Sequence, residues 1–384
     1  MNGKILVFNA GSTTLKYKLF NYQNNDLTVL KHGFVQNIGL RTGPKNHLVA
    51  LSLLFSDLAA NLPSLAHIDD LVAIGHRVVY GGNEFRTITK LDSFVVDKLK
   101  KYNSIAPLHN PPILDVITDI LKHSGRKGHR DIDNYAVFDS SFFSNLPQHV
   151  KIYPLSYKLY RDNKIEKFGF HGISHQNVIE EIQKKYPSTH KIISIHLGSG
   201  SSITACIDGK PIDTSMGFTP REGLMMTTRS GDIDPGILIY LVQSKIVKNI
   251  DELDKIINEL SGLQGVSEIS SDMRDLLYVA NLPMEDNDYK VNSNLKNLPD
   301  IYKEQAKLAI EMYCYKVQKF IGAYFAILGG CDVLVFTGAI GYGSNYIRNK
   351  ITEPLQHMLG QTKIEYIETD EETQIAEEII NHVF

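Results

Sequence analysis

KILVFNAGSTTLKYKLF, residues 4–20, passes from a short apolar run into a turn of Gly11 and three hydroxyls, then alternates again at Leu15, Tyr17 and Leu19. That pattern predicts strand, tight turn, strand: a hairpin. The turn gathers backbone N–H groups, the hydroxyls of Ser12, Thr13 and Thr14 and the ammonium of Lys16, all suited to a phosphate, while the amide oxygen of Asn9 suits a metal ion or its waters. A Gly/Ser hairpin turn also serves simply to reverse the chain, and the segment lacks the lysine spacing of a P-loop. KIISIHLGSGSSITACIDGK, residues 191–210, has the same character: apolar strand, small polar turn, alternating strand, with His196 ending the incoming strand and glycines that let backbone approach an anion. Two such units, starting at residues 4 and 191, predict an α/β chain of two related domains, each giving one phosphate-facing hairpin to a shared cleft.

Composition sets the class. A chain of 384 residues fits two domains at about 150 residues each. With 43% hydrophobic and 22% charged residues it has the balance of a globular protein. A formal net charge of -3 argues against nonspecific nucleic-acid binding, which needs a basic surface. Cys206, Cys314 and Cys331 are scattered and form no CxxC pair, so neither a disulfide framework nor a zinc site is expected, and a cytoplasmic location fits. The first apolar run is shorter than a signal-peptide core, and the apolar stretch 323–341 is broken by a Gly pair and Asp332, which argues against a membrane span.

Just past the middle lies DTSMGFTPREGLMMTTRSGDIDP, residues 213–235. It mixes Arg221, Arg229, a glutamate and three aspartates with Met216, Phe218, Leu224, Met225 and Met226, which favour burial. A polar connection apolar enough to be held in place is where a scaffold presents functional groups. The alternative is a surface loop with a salt bridge from Arg229 to Asp232 or Asp234.

Outside these stretches, helical spacing is read over 47–66, and residues 71–82 read as a buried strand running into a loop with His76 and Arg77. Arg77, flanked by apolar residues and glycine, needs an anionic partner, either a structural carboxylate or a ligand. Residues 104–114 predict a Pro-stiffened turn into a helix, with Pro112 in its first turn and His109 and Asn110 as caps in preference to cleft groups. In AVFDSSFF, residues 136–143, a strand ends at Asp139, a position that suits an orienting carboxylate or a cap. KFGFHGISHQNVIEEI, residues 167–182, sets His171 beside Gly172, with Ser174 as the cap of an amphipathic helix. Residues 236–260 read as helical, 261–276 as a turn-rich entry to another helix, 281–299 as an exposed loop and 301–330 as a long helix ended by a Gly pair. CDVLVFTGAIGYGSN, residues 331–345, is a strand opening into a glycine-rich loop, an arrangement that admits a nucleotide. The acidic turn Asp370, Glu371, Glu372 starts a terminal helix, where carboxylates complement the dipole and one can serve magnesium.

Ten segments in order, among them NAGSTTLK (9–16), GHRVVYGG (75–82), APLHNPP (106–112), VFDSSF (137–142), FGFHGISH (168–175), HLGSGSS (196–202), the 213–235 stretch, SGLQGVSEISSDMR (261–274), VFTGAIG (335–341) and TDEE (369–372), resemble the acetate kinase family, within the acetate, propionate and butyrate kinases. The resemblance implies the two-domain actin/Hsp70/sugar-kinase-like fold, with duplicated ribonuclease-H-like domains and an interdomain nucleotide cleft. The expected boundaries are 1–140 plus 371–384 for the first domain and 141–370 for the nucleotide-binding domain. It also implies reversible, in-line phosphoryl transfer between ATP and acetate, giving acetyl phosphate and ADP, with Mg2+ (or Mn2+), in a homodimer.

Carried onto this chain, Arg77 and Arg229 bind the carboxylate and the equatorial phosphoryl oxygens, His171 hydrogen-bonds the transferring group, and Asp139 holds the arginines or substrate in register. Asn9 and Glu371 fix the metal; Ser12, Thr14 and Lys16 meet phosphates; His196, Gly198, Ser199 and Gly200 form the second phosphate hairpin; Gly338, Ile340 and Gly341 belong to the nucleotide loop. The family commonly has Asn at Ser199, His at Tyr80 and Phe143, and GIGEN where this chain reads GAIGYGSN. Tyr342 therefore either stacks on adenine or fills the pocket and leaves room for a smaller donor such as pyrophosphate. Propionate as acceptor and a non-catalytic nucleotide-binding relative are the other readings.

Overall fold

Gly3–Ala10 (β1) and Leu15–Gln23 (β2) pair antiparallel without a break from Gly3 opposite Tyr22 to Ala10 opposite Leu15, leaving residues 11–14 as the turn. The structure, a computed structural model, describes residues 3–24, 26–40, 42–61, 71–103, 105, 110–124, 132–286 and 289–384. The chain divides into two compact units. The first is Met1–Ser144 with Phe170–Asn177 and Asp370–Phe384; the second is Asn145–Gly169 with Val178–Thr369.

In the first unit Asp26–Val35 (β3), Leu71–Val78 (β4), Thr89–Lys90 (β5) and Asp133–Phe138 (β6) join the hairpin in one sheet of order β3-β2-β1-β4-β6-β5. β1, β4 and β6 run parallel side by side, so Asn9, Arg77 and Asp139 come to one end of the sheet. Parallel strands are buried on both faces and read as continuous apolar runs, as β1 does. Helix Glu371–Val383 covers the sheet with Ile375, Ala376 and Ile379 packed on Ile5, Val7, Phe20 and Ala73. Gly75 is the contact point: a Cβ there would stand 2.8 Å from both Ile375 and Ile379.

In the second unit Lys191–Leu197 (β7), Ser201–Ile207 (β8), Lys210–Thr214 (β9), Val333–Thr337 (β10) and Lys363–Tyr366 (β11) form a sheet of order β11-β10-β7-β8-β9. β7 and β8 are the second predicted hairpin, antiparallel from Lys191 opposite Ile207 to Leu197 opposite Ser201. Helix Asp300–Leu328 fills the core through Ala306, Ile310, Tyr313, Val317 and Ile321, and Gly329, at φ +61, ends it in the left-handed conformation that glycine adopts without strain.

Several expectations change. The helix read over 47–66 is seen as His47–Asn61, and residues 62–70 lie outside the described ones. Residues 236–260 form two helices, Pro235–Gln243 and Ile250–Glu259, because Lys245 turns left-handed (φ +58) and Asn249 accepts the Glu252 N–H to start a new helix. Residues 261–276 hold a helix of their own, Gly262–Ser267, before Met273–Val279. Ser174 lies inside the first turn of helix Gly172–Lys185 rather than at its cap. Asn110 is no cap either: its amide grips Tyr80, accepting the N–H at 3.2 Å and donating to the C=O at 3.0 Å. His109 lies outside the described residues.

Cys206, Cys314 and Cys331 are free thiols. Among the described residues no helix is long and apolar enough to cross a membrane.

Candidate active site

The ends of β1, β4 and β6 and the start of helix Glu371–Val383 build a charged centre in the first unit. Arg77 donates Nε to Asp139 Oδ1 at 3.0 Å and Nη2 to Asp139 Oδ2 at 2.7 Å, the two-point geometry of guanidinium and carboxylate. Its Nη1 donates to Glu371 Oε2 at 2.9 Å and to Asn9 Oδ1 at 3.2 Å. Four of the five N–H groups of a guanidinium are thus aimed at protein oxygens. The other side of Asn9 donates to both Glu371 Oε2 and Glu372 Oε1 at 2.7 Å.

Three carboxylates therefore face one arginine. Burial pushes the Asp139 carboxyl up, against the pull of Arg77, with Glu371 adding to the rise. Burial and Glu371 likewise raise Glu372, while Lys16 pulls it down. Arg77 is held firmly protonated by Asp139 and Glu371 despite its burial. The helix start that carries these carboxylates is fixed from three directions: Lys18 pairs with Asp370 at 2.5 Å, Asp370 accepts the Thr373 N–H at 3.1 Å, and Asn177 accepts the Asp370 N–H at 2.9 Å.

His171 is bound to the same centre through its backbone. It takes φ +57, unusual for a residue with a Cβ, and its N–H hydrogen-bonds the Asp139 carboxylate. The next N–H, of Gly172, donates to the Asp139 carbonyl at 3.0 Å, and a Cβ on Gly172 would stand 2.1 Å from that oxygen. The glycine beside His171 thus admits Asp139 itself. Around the hairpin turn, Ser12 and Lys16 are exposed and Thr14 is half-buried, its carbonyl accepting the Gly11 N–H at 2.8 Å.

The donors at Asn9, Glu371 and Glu372 are an amide oxygen and carboxylates, hard ligands of the kind magnesium takes. Among the described residues no group of three or more His, Cys, Asp or Glu is arranged as a metal cage. Magnesium does not require one, since it keeps several waters and binds through one or two carboxylates plus substrate phosphate. The negative excess around Asn9 fits such an ion.

In the second unit a cavity of about 560 Å3 opens beside the β7–β8 turn. Gly198, Ser199 and Ile340, all expected at a nucleotide, line it. Gly338, at φ +77, makes the turn out of β10 next to Leu197, where a Cβ would stand 2.6 Å from the Leu197 carbonyl. Gly200 closes the hairpin by accepting the Gly198 N–H at 3.0 Å, and His196 and Gly341 stand beside the cavity without lining it. Residue reading missed Thr227, Asp272, Arg274, Leu277, Met284 and Ala339, which also line it. SSDMR carried the signal for Asp272 and Arg274; no periodicity marks Met284. Tyr342 is 41% exposed and outside the lining, tilted against Tyr366 at 6.1 Å, so it does not fill the cavity.

The 213–235 stretch packs as its mixed composition requires. Met216, Leu224, Met225 and Met226 are buried, Asp232 accepts the Gly223 N–H at 2.7 Å, and Asp234 caps helix Pro235–Gln243. Arg221 pairs with Asp254 at 2.8 Å. Arg229 Nη1 donates to the Pro220 carbonyl at 3.0 Å; burial, with Arg221 adding, lowers this guanidinium to about 10, still a cation at neutral pH. Thr227 ties the stretch to the hairpin, its Oγ1 donating to the Ser199 carbonyl at 3.0 Å.

Residues 4–382 match the Acetokinase family. The acetate kinase of Coprothermobacter proteolyticus is 36% identical over 377 residues, covering 92% of this chain and 88% of that protein. That of Campylobacter concisus is 37% identical over 374 residues, covering 92% and 87%. Among solved structures, Porphyromonas gingivalis acetate kinase superposes with a TM-score of 0.79 at 30% identity over 100% of both chains. A propionate kinase from Francisella tularensis superposes with a TM-score of 0.81 at 32% identity over 98% of both. With its two-sheet α/β architecture and these matches along nearly its whole length, the chain belongs to the Acetokinase family.

Proposed function

We propose that this protein is an acetate kinase, transferring the γ-phosphoryl group of ATP in line to a carboxylate oxygen of acetate to give acetyl phosphate and ADP, reversibly. The observation that carries this reading is that Gly198, Ser199 and Ile340, three of the residues expected at phosphate or nucleotide, line a cavity of about 560 Å3, within the size range of small-molecule sites, in a chain of this family. Its apolar lining of Leu277, Met284 and Ile340 suits a base and its polar end at Gly198, Ser199 and Thr227 suits phosphates. Tyr342 leaves the cavity open, which favours ATP over pyrophosphate.

Phosphoryl transfer needs positioning and charge neutralisation more than covalent chemistry. Arg229, a half-buried cation directed by a carbonyl, is assigned to the equatorial oxygens of the moving group. Arg77 shares in binding the substrate carboxylate and balances the acidic centre, and Asp139 fixes its orientation through both oxygens. His171, anchored by its backbone to Asp139, hydrogen-bonds the transferring group. Acetate is already ionised at neutral pH, so Asp139 need not take a proton. Asn9 and Glu371, with Glu372 behind them, would hold Mg2+ (Mn2+ is the alternative), which supplies charge neutralisation on the phosphates. Ser12, Thr14, Lys16, His196 and Gly200 are assigned to phosphate contacts. The first unit thus serves acetate and metal, and the second, with Gly338 and Gly341 shaping its loop, serves the nucleotide. A homodimer and a cytoplasmic location, where free thiols persist, complete the proposal.

The test is hydroxylamine trapping of acyl phosphate, with magnesium and acetate or propionate as acceptor and ATP or pyrophosphate as donor. Product from ATP and acetate, cut roughly a hundredfold to a thousandfold in Arg229→Ala, is expected. No product from any donor and acceptor pair would leave a non-catalytic nucleotide-binding relative as the better reading.

A further inference from the structure

Residues Gly338–Gly343, GAIGYG, form one short helical stretch in which three of six residues are glycine, the poorest helix former after proline. Ala339, Ile340, Gly343 and the following Ser344 line the nucleotide cavity. This wall cannot be held by its own propensity, and its last carbonyls have no partners further along the helix. The Ser344 N–H takes only the Ile340 carbonyl, at 3.1 Å.

The next carbonyls are taken by one side chain. Arg348, buried on helix Asn345–Thr352, donates Nη1 to the Gly341 carbonyl at 2.8 Å and to the Tyr342 carbonyl, and Nη2 to Asn345 Oδ1. Its guanidinium lies over the Tyr366 ring, 4.4 Å from the centroid, and Tyr342 leans on the same ring. Asn345, at the start of that helix, donates its N–H at 2.8 Å to Glu285, which also lines the cavity. Arg348 itself does not line the cavity.

We propose that Arg348 is a positioning residue that sets nucleotide affinity: it holds the glycine-rich wall in its binding shape from behind without touching the nucleotide. A planar fork is required, because a point-like ammonium cannot span two carbonyls and an amide oxygen while lying flat on an aromatic ring. The inference rests on the assignment of the cavity to the nucleotide.

The experiment measures magnesium–ADP binding by calorimetry, together with kcat and both KM values, for Arg348→Met, Arg348→Lys and Met284→Trp. Arg348→Met is expected to raise the ADP Kd and the ATP KM at least tenfold while the acetate KM stays within twofold, and Arg348→Lys to recover only part of the loss. An ADP Kd within twofold of the parent in Arg348→Met, or a parallel shift in acetate KM and ADP Kd, overturns the proposal. Should Arg348→Met not fold, Arg348→Lys decides, a threefold or greater rise in ADP Kd supporting the claim and parent-like binding overturning it. Met284→Trp fills the cavity from its other wall and should abolish ADP binding. If it binds ADP normally, the nucleotide assignment fails and the proposal with it; if it fails to bind ADP while Arg348→Met binds normally, the positioning role alone is wrong.

Discussion

His76, next to Arg77, shows how a residue can support the charged centre without entering it. It is fully buried, its Nε2 bonds Asn134 Oδ1 at 2.8 Å, and its ring stacks on Phe8. Because Asn134 uses its own amide N–H on the Ile132 carbonyl, its oxygen faces the imidazole, which is therefore a neutral donor. Burial, opposed by that bond, lowers His76 from 6.5 to about 4. A depressed folded-state value means that the unfolded chain takes the proton first, so stability is complete above pH 6.5 and is lost as pH falls toward 4, by about 3 kcal/mol. Urea midpoints at pH 7 and pH 4.5 should show this loss, and His76→Gln, which keeps a donor toward Asn134, should flatten it. An unchanged slope in the variant would place the acid sensitivity elsewhere. GHRVVYGG shows that Arg77 needs an anionic partner, but not that His76 is a neutral buried imidazole; that depends on Asn134 of a neighbouring strand.

At the scale of elements, glycines separate tight approaches from open space. Gly172→Ala would drive a Cβ into the Asp139 carbonyl, 2.1 Å away, and should cost at least about 2 kcal/mol of stability with a marked fall in turnover. Gly322 lies inside helix Asp300–Leu328 with nothing within 4 Å of its added Cβ, so Gly322→Ala should stabilise by about 0.5–1 kcal/mol. Thermal melts of the two variants check both signs. The same scale shows what sequence could carry. Both hairpins were legible because strand alternation and a Gly/Ser turn are local patterns, and so was the end of the long helix at Gly329. β3 was not, since its edge position leaves Val29, Leu30 and Phe34 exposed and blurs the alternation. The cavity wall at Met284 and Glu285 was not, because it sits in an irregular polar segment whose role depends on what it faces. Arg348 drew no reading from the sequence, because its contacts are to carbonyls, which leave no trace in the letters.

For the whole molecule, helix Pro235–Gln243 is the conspicuous surface. PGILIYLVQ has no buried residue, and Ile237, Ile239 and Tyr240 are 47%, 57% and 62% exposed. An apolar face of this kind suits association, and the proposed dimer can be tested on it. Sedimentation velocity should find a dimer for the parent protein, and Ile239→Glu with Tyr240→Asp should yield monomer; a dimer that survives both changes would exclude this face. The segmented first unit has a separate consequence. Its sheet begins with β1, yet the helix that packs Ile375, Ala376 and Ile379 on that sheet and brings Glu371 to Arg77 is translated after everything else the unit contains. During synthesis the first unit must therefore wait with an uncovered apolar sheet while the whole second unit is made. A product released by the ribosome before residue 371 lacks both that cover and Glu371 and Glu372, and so leaves the apolar face of this sheet open to aggregation.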